Sequence, residues 1–162
     1  MKKITFLLLG TNLGDRKKNL ATARKAIEVS VGTILKASSI YQTAAWGKTD
    51  QPDFLNQALE VQTALPAEDV LAEILKIEHT MGRTRDEQWG ERIIDIDILL
   101  FEKEFISSTA LKIPHPELAN RRFALEPLVE IGGDVTHPGL QLTIREMLEQ
   151  CPDVLEVRRI LQ

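Results

Sequence analysis

The sequence predicts an α+β fold, a ferredoxin-like α/β sandwich in which a mostly antiparallel sheet carries helices on one face. Three observations point there. Elements read in the order β-α-β-β-α-β before further short ones follow. Two segments show apolar residues at helical spacing, each followed by a glycine. No repeat, low-complexity tract or linker divides the chain, so residues 1–162 read as a single domain.

Ile4 to Leu9 is a short apolar run of β-formers and reads as a buried strand, broken by Gly10-Thr11-Asn12-Leu13-Gly14. Leu20, Ala23, Ile27 and Val31 mark the first helix, with Gly32 as its stop. Thr33 to Tyr41 reads as a second strand, Ala44 to Asp53 as a loop and Phe54 to Thr63 as a third strand. Pro66 suits the first position of the next helix, with Glu68 and Asp69 complementing its dipole and Val70, Leu71, Ile74, Ile77 and Met81 forming its apolar face. Gly82 is its expected stop, and Arg83 to Arg92 has no apolar period and reads as an exposed loop. Ile93 to Phe101 is the most strand-like segment. Phe105-Ile106 and Leu111 to Ile113 read as short strands. Asn120 to Ile131 reads as a helix whose regular part starts at Pro127. Thr143 with Glu146 predicts a capping box for a last helix ending near Cys151-Pro152.

Composition narrows the function. A 43% hydrophobic and 27% charged chain is ordinary for a soluble globular protein. The single cysteine, Cys151, permits no intramolecular disulfide and no multi-cysteine zinc site, which fits the cytoplasm. The N-terminal apolar run is too short for a signal peptide or a membrane span. A net charge of −4 argues against general nucleic-acid affinity.

The sharpest chemical signal is Arg92-Ile93-Ile94-Asp95-Ile96-Asp97-Ile98-Leu99-Leu100-Phe101. Strand alternation sends Ile94, Ile96, Ile98 and Leu100 one way, and Asp95 and Asp97 the other with Ile93, Leu99 and Phe101. Two carboxylates two residues apart, about 7 Å at Cα, can converge on one ion. The plain structural alternative is that each pairs with an arginine or faces solvent. The functional reading is magnesium, with water and phosphate completing the shell. No histidine shares that face, which counts against zinc.

Other segments add weaker signals. Arg83, Arg85 and Arg92 flank Trp89 in the loop feeding the two-Asp strand. Arginine forks suit phosphate, and an indole can cover a base, but a solvated loop would look similar. His115 lies between Pro114 and Pro116, shortly before Asn120-Arg121-Arg122-Phe123. His79 and His137 read as structural or surface residues. Phe54 and Asn56 offer a ring and a paired donor and acceptor, suited to a flat heterocycle, yet either fits a core or turn. Neither a Walker loop nor a dinucleotide or kinase motif is present.

These motifs, in this order, resemble the 6-hydroxymethyl-7,8-dihydropterin pyrophosphokinase family of folate biosynthesis. The likeness runs from Leu9-Gly10-Thr11-Asn12-Leu13-Gly14 to Phe123-Ala124-Leu125-Glu126-Pro127-Leu128, most of the chain. It implies transfer of pyrophosphate from ATP to the hydroxymethyl group of a reduced pterin, with AMP released and two Mg2+ ions bound. By position, Asp95 and Asp97 would hold the metal, and Arg83 and Arg92 would be mobile arginines assisting transfer. Glu78, Arg85, Trp89, Ile98, His115 and Arg121 would surround the nucleotide. Thr43, Ala44, Trp46, Phe54, Asn56 and Phe123 would line the pterin pocket. The general base stays open between Asp97 and a hydroxyl acidified by the metal, which would need none. The expected protein is a cytoplasmic monomer with no nucleic-acid or membrane partner. Ala44-Ala45 replaces a frequent Pro-Pro, Phe54 and Pro116 replace frequent tyrosines, and Ala110 and Lys112 stand where some members have Arg and Thr. The arginine loop is one residue shorter than in some members. The alternatives are a non-catalytic ferredoxin-like binding module and another two-metal nucleotidyl transferase.

Overall fold

The computed structural model describes residues 2–44, 52–82 and 93–160. Trp46, Arg83, Arg85, Trp89 and Arg92 lie outside the described residues. The strands are β1 (Lys3–Thr11), β2 (Thr33–Ala37), β3 (Tyr41–Thr43), β4 (Phe54–Thr63), β5 (Asp95–Phe101), β6 (Ile106–Ser107), β7 (Lys112–Ile113) and β8 (Val157–Arg159). The helices are α1 (Arg16–Ser30), α2 (Ala67–Thr80), α3 (Arg122–Gly132) and α4 (Ile144–Gln150), and a 3-10 turn spans Leu118–Asn120. The main sheet runs β5-β1-β4-β3-β8, with β2 on β4 beside β3, and β6 pairs with β7. All these pairings are antiparallel.

Local chemistry explains the element ends. The Asp15 carboxylate accepts from the Lys18 N–H and starts α1. Gly32 follows that helix for a reason other than backbone conformation: a Cβ there would meet the Gln62 carbonyl oxygen at 2.2 Å, so the chain passes tight against β4. Pro66 is the cap of α2 and not its first residue; its carbonyl accepts from Asp69 and Val70. The Thr143–Glu146 capping box forms as expected.

Further expectations need correction. The strand expected over 33–41 is two strands, because Ser38 bonds through its own N–H and hydroxyl to Ala58. One extra residue is then absorbed between Ala37, opposite Leu59, and Tyr41, opposite Asn56. In β5 a bulge at Leu99 reverses the alternation: Leu7 faces Ile98 but Phe6 faces Leu100. Leu99 and Leu100 therefore share one core and Phe101 joins the other. Pro127 lies inside α3 and does not begin its regular part. The helices also do not share one face. Leu7 and Leu9 of β1 pack with α1 and α2, whereas Phe6 and Leu8 pack with α3 and α4. Strand β8 was not foreseen.

Candidate active site

Residues directly opposite one another in an antiparallel sheet share a face. Across four strands, Asp95, Gly10, Asn56 and Tyr41 stand in one row. Asp97 lies in the next row, opposite Leu8, and Thr43 lies opposite Phe54 on the other side. Alternation along each strand puts all of these on the α3/α4 face. The structure thus brings Asp95, Asp97, Thr43, Phe54 and Asn56 together at one end of that face, beyond the apolar core of Phe6, Leu8, Ala58 and Leu99.

Gly10 makes the floor. A Cβ at this position would stand 3.0 Å from Asn56 Oδ1 and 3.9 Å from Phe54 Cδ1. The missing side chain lets the Asn56 amide lie close over the β1 backbone, in the row between Asn56 and Asp95. Asn56 is buried, and its Nδ2 donates to Thr43 Oγ1 at 3.2 Å, which fixes the amide. The chain entering Phe54 is pinned from three directions. Asn12 Nδ2 donates to the Pro52 carbonyl at 3.2 Å, Arg16 to the Asp53 carbonyl at 2.8 Å, and Gln42 to the Asp53 carboxylate at 2.8 Å. This gives the Gly10–Gly14 turn a structural role that its sequence did not disclose. The sequence reads Gly10 as a strand break, whereas Gly10 and Thr11 lie inside β1; an absent side chain gives no sign of that.

Across the site, α3 begins beside the 3-10 turn and carries Phe123 in its first turn. The Arg121 guanidinium lies over the Phe123 ring, 5.7 Å from its centroid. The His115 N–H donates to the Leu99 carbonyl at 3.0 Å, at the bulge, which fastens this loop to β5. His115 is half-buried beside Arg121; burial first, then the neighbouring guanidinium, push its pKa down to about 4. Its Nδ1 accepts from the Glu117 N–H at 3.1 Å. The ring is therefore neutral near pH 7 and keeps its proton on Nε2, ready to donate.

Two residues expected around the nucleotide do not share the face of the aspartates. Ile98 points to the α1/α2 core, opposite to Asp95 and Asp97. Glu78 is buried on α2, and its carboxylate accepts from the Ile96 N–H at 2.8 Å. It holds the backbone between the two aspartates and lies behind β5. Ala44 is exposed at the end of β3. His137 is a structural histidine: its Nδ1 accepts from the N–H groups of Gly139 and Leu140.

The donor set suits a hard cation. Two carboxylates, each partly exposed, share a face of β5; among the described residues no group of three or more His, Cys, Asp or Glu side chains forms a metal cluster, there or elsewhere. Such a pair fits Mg2+, whose remaining positions go to water and phosphate oxygens.

Comparison with known proteins decides the family. Residues 6–133 match the 7,8-dihydro-6-hydroxymethylpterin-pyrophosphokinase (HPPK) family. The chain is 42% identical to the 2-amino-4-hydroxy-6-hydroxymethyldihydropteridine pyrophosphokinase of Bacillus subtilis over 81% of its length and 79% of the relative's. It is 38% identical to the enzyme of the same name from Haemophilus influenzae, over 91% and 92% of the two chains. This chain belongs to the HPPK family. It is accordingly an ATP-dependent pyrophosphokinase of folate biosynthesis, which favours neither the binding-module nor the nucleotidyl-transferase alternative. Among solved structures, a triple-mutant HPPK-DHPS of Plasmodium falciparum superposes with a TM-score of 0.76 at 20% identity, covering 93% of this chain. This chain spans only 43% of that longer one, and the likeness bears on the fold. No helix among the described residues is long and apolar enough to cross a membrane.

Proposed function

We propose that the HPPK reaction runs over the sheet row at Gly10, with the reduced pterin beside Asn56 and the ATP triphosphate along Asp95 and Asp97. The observation that carries this is the row Asp95–Gly10–Asn56: a carboxylate and an oriented amide separated by a position with no side chain. Phe54 and Phe123 flank the bicyclic ring, and Asn56, held by Thr43, reads its polar edge. Ala44 and Trp46 complete the pterin side. His115 donates from Nε2 to a phosphate oxygen, and Arg121 adds charge there. Arg85 and Trp89 belong to the nucleotide side, with Glu78 holding the β5 backbone from behind and Ile98 anchoring that strand in the α1/α2 core.

The hydroxymethyl oxygen attacks the β-phosphorus. The new O–P bond forms as the bond from β-phosphorus to the bridging oxygen of AMP breaks, and AMP leaves with that electron pair. Arg83 and Arg92 offset the charge that develops. Asp95 and Asp97 would hold two Mg2+ ions, which supply Lewis-acid neutralisation of the triphosphate. The hydroxyl proton goes to Asp97 or to solvent from a hydroxyl already acidified. The reading is of a cytoplasmic monomer.

The test is direct. Incubation with Mg2+, ATP and 6-hydroxymethyl-7,8-dihydropterin should yield AMP and the pterin pyrophosphate in equal amounts. Release of inorganic pyrophosphate with a nucleotidylated product would refute the reading.

A further inference from the structure

The ring slot proposed above has one wall on the sheet, Phe54, and one on a helix, Phe123. Something must fix the helix against the sheet. At the far end of α3 the Glu130 carboxylate collects three donors from the segment leading into β3. Tyr41 Oη donates to Oε1 at 2.7 Å, the Ser39 N–H reaches both oxygens at 3.0 and 3.1 Å, and Ser39 Oγ donates to Oε2 at 3.2 Å. Tyr41 is itself 8% exposed. It stands directly opposite Asn56 in the sheet row and two residues before Thr43. Glu130 lies seven residues after Phe123, two helical turns along, so both project from nearly the same side of α3.

From this geometry we propose that Tyr41 and Glu130 are positioning residues for the pterin slot. Their hydrogen bond ties the strand bearing Thr43 to the helix bearing Phe123, and so sets the gap between the two rings. Neither touches the proposed substrate position. The N-terminal end of α3 is held separately, by the Arg122 N–H donating to Asp153 at 3.1 Å. The Glu130 tie therefore governs the tilt of the helix and not its attachment. A slot whose walls are set before binding spends less of the ring's interaction on ordering them. The inference rests on the proposed pterin placement.

Tyr41→Phe and Glu130→Gln keep ring, volume and packing. Each should weaken binding of 6-hydroxymethyl-7,8-dihydropterin by about three- to tenfold, the worth of one ordinary hydrogen bond. ATP affinity should stay within about twofold, and the double variant should lose little more than either single one. Pterin affinity unchanged in both variants, equal losses for the two substrates, or fully additive losses would overturn the proposal. Phe54→Ala and Phe123→Ala separate the two readings. If these weaken pterin binding and Tyr41→Phe does not, only the tie fails; if these leave it unchanged, the pterin placement fails and the tie with it.

Discussion

The two faces of the sheet are built from the same strands and end differently. On the α1/α2 face the aliphatic packing runs through Leu7, Leu9, Leu59, Val61, Ile96 and Ile98, all buried. On the α3/α4 face it runs through Phe6, Leu8, Ala58, Leu99 and Leu100 and then stops, giving way to Gly10, Asn56, Asp95 and Asp97. One residue of β1 marks the change: after Leu8 that face meets a position with no side chain. Both faces hold a buried core, and the proposed chemistry lies at the end of one of them, so substitutions in the site and in the opposite core should separate.

The largest effect is expected on the open face. Asp97→Ala should lower turnover by about a thousandfold or more, with the circular dichroism spectrum unchanged. Retained turnover in purified protein would remove the metal assignment and blur the contrast. On the closed face, Leu59→Ala deletes a side chain with no exposure and should cost about 2–5 kcal/mol of stability in urea titrations. Activity per folded molecule should change little; a comparable loss of activity would mean the faces are coupled. Gly10→Ala is subtler. The new methyl would press on Asn56 Oδ1 and should raise the pterin KM about tenfold while leaving that for ATP alone.

The smallest effect is a pH dependence. The pKa of His115 in the folded protein, about 4, lies below its ordinary 6.5. As pH falls through 6.5 the unfolded chain takes up a proton that the folded chain refuses. The stability tied to this ring is fully present above pH 6.5 and declines until about pH 4. His115→Gln should flatten part of that slope in denaturation midpoints. His137, lowered chiefly by burial, leaves a remainder in the variant.

Periodicity carried most of the fold. The bounds of β4 were legible because Pro52-Asp53 and Leu65-Pro66 punctuate it. The shared face of Asp95 and Asp97 was legible because two residues is one strand repeat, and the bulge falls beyond them at Leu99. That bulge was invisible: an unbroken aliphatic run looks the same in either register. The break at Ser38 was hidden for a related reason, since it depends on a hydroxyl meeting the Ala58 backbone across the sheet. Strand β8 escaped notice because Val157–Arg159 is three residues with no alternation of its own; pairing with β3 makes it a strand. In the site, alternation alone set Ile98 apart from the aspartates, although resemblance grouped it with the nucleotide. Arg83, Arg85, Trp89, Arg92 and Trp46 lie outside the described residues, and the roles that the resemblance implies for them belong to the proposal alone.

The bare α-carbon at Gly10 has a consequence for inhibitor design. Resistance commonly arises when a pocket residue grows or shrinks so that a drug no longer fits while the natural ligand does. Here there is nothing to trim, and any enlargement strikes Asn56, the group that the natural ligand itself is proposed to need. A compound seated tightly on that spot would press against a wall that mutation cannot move without weakening the enzyme's own hold on its ligand.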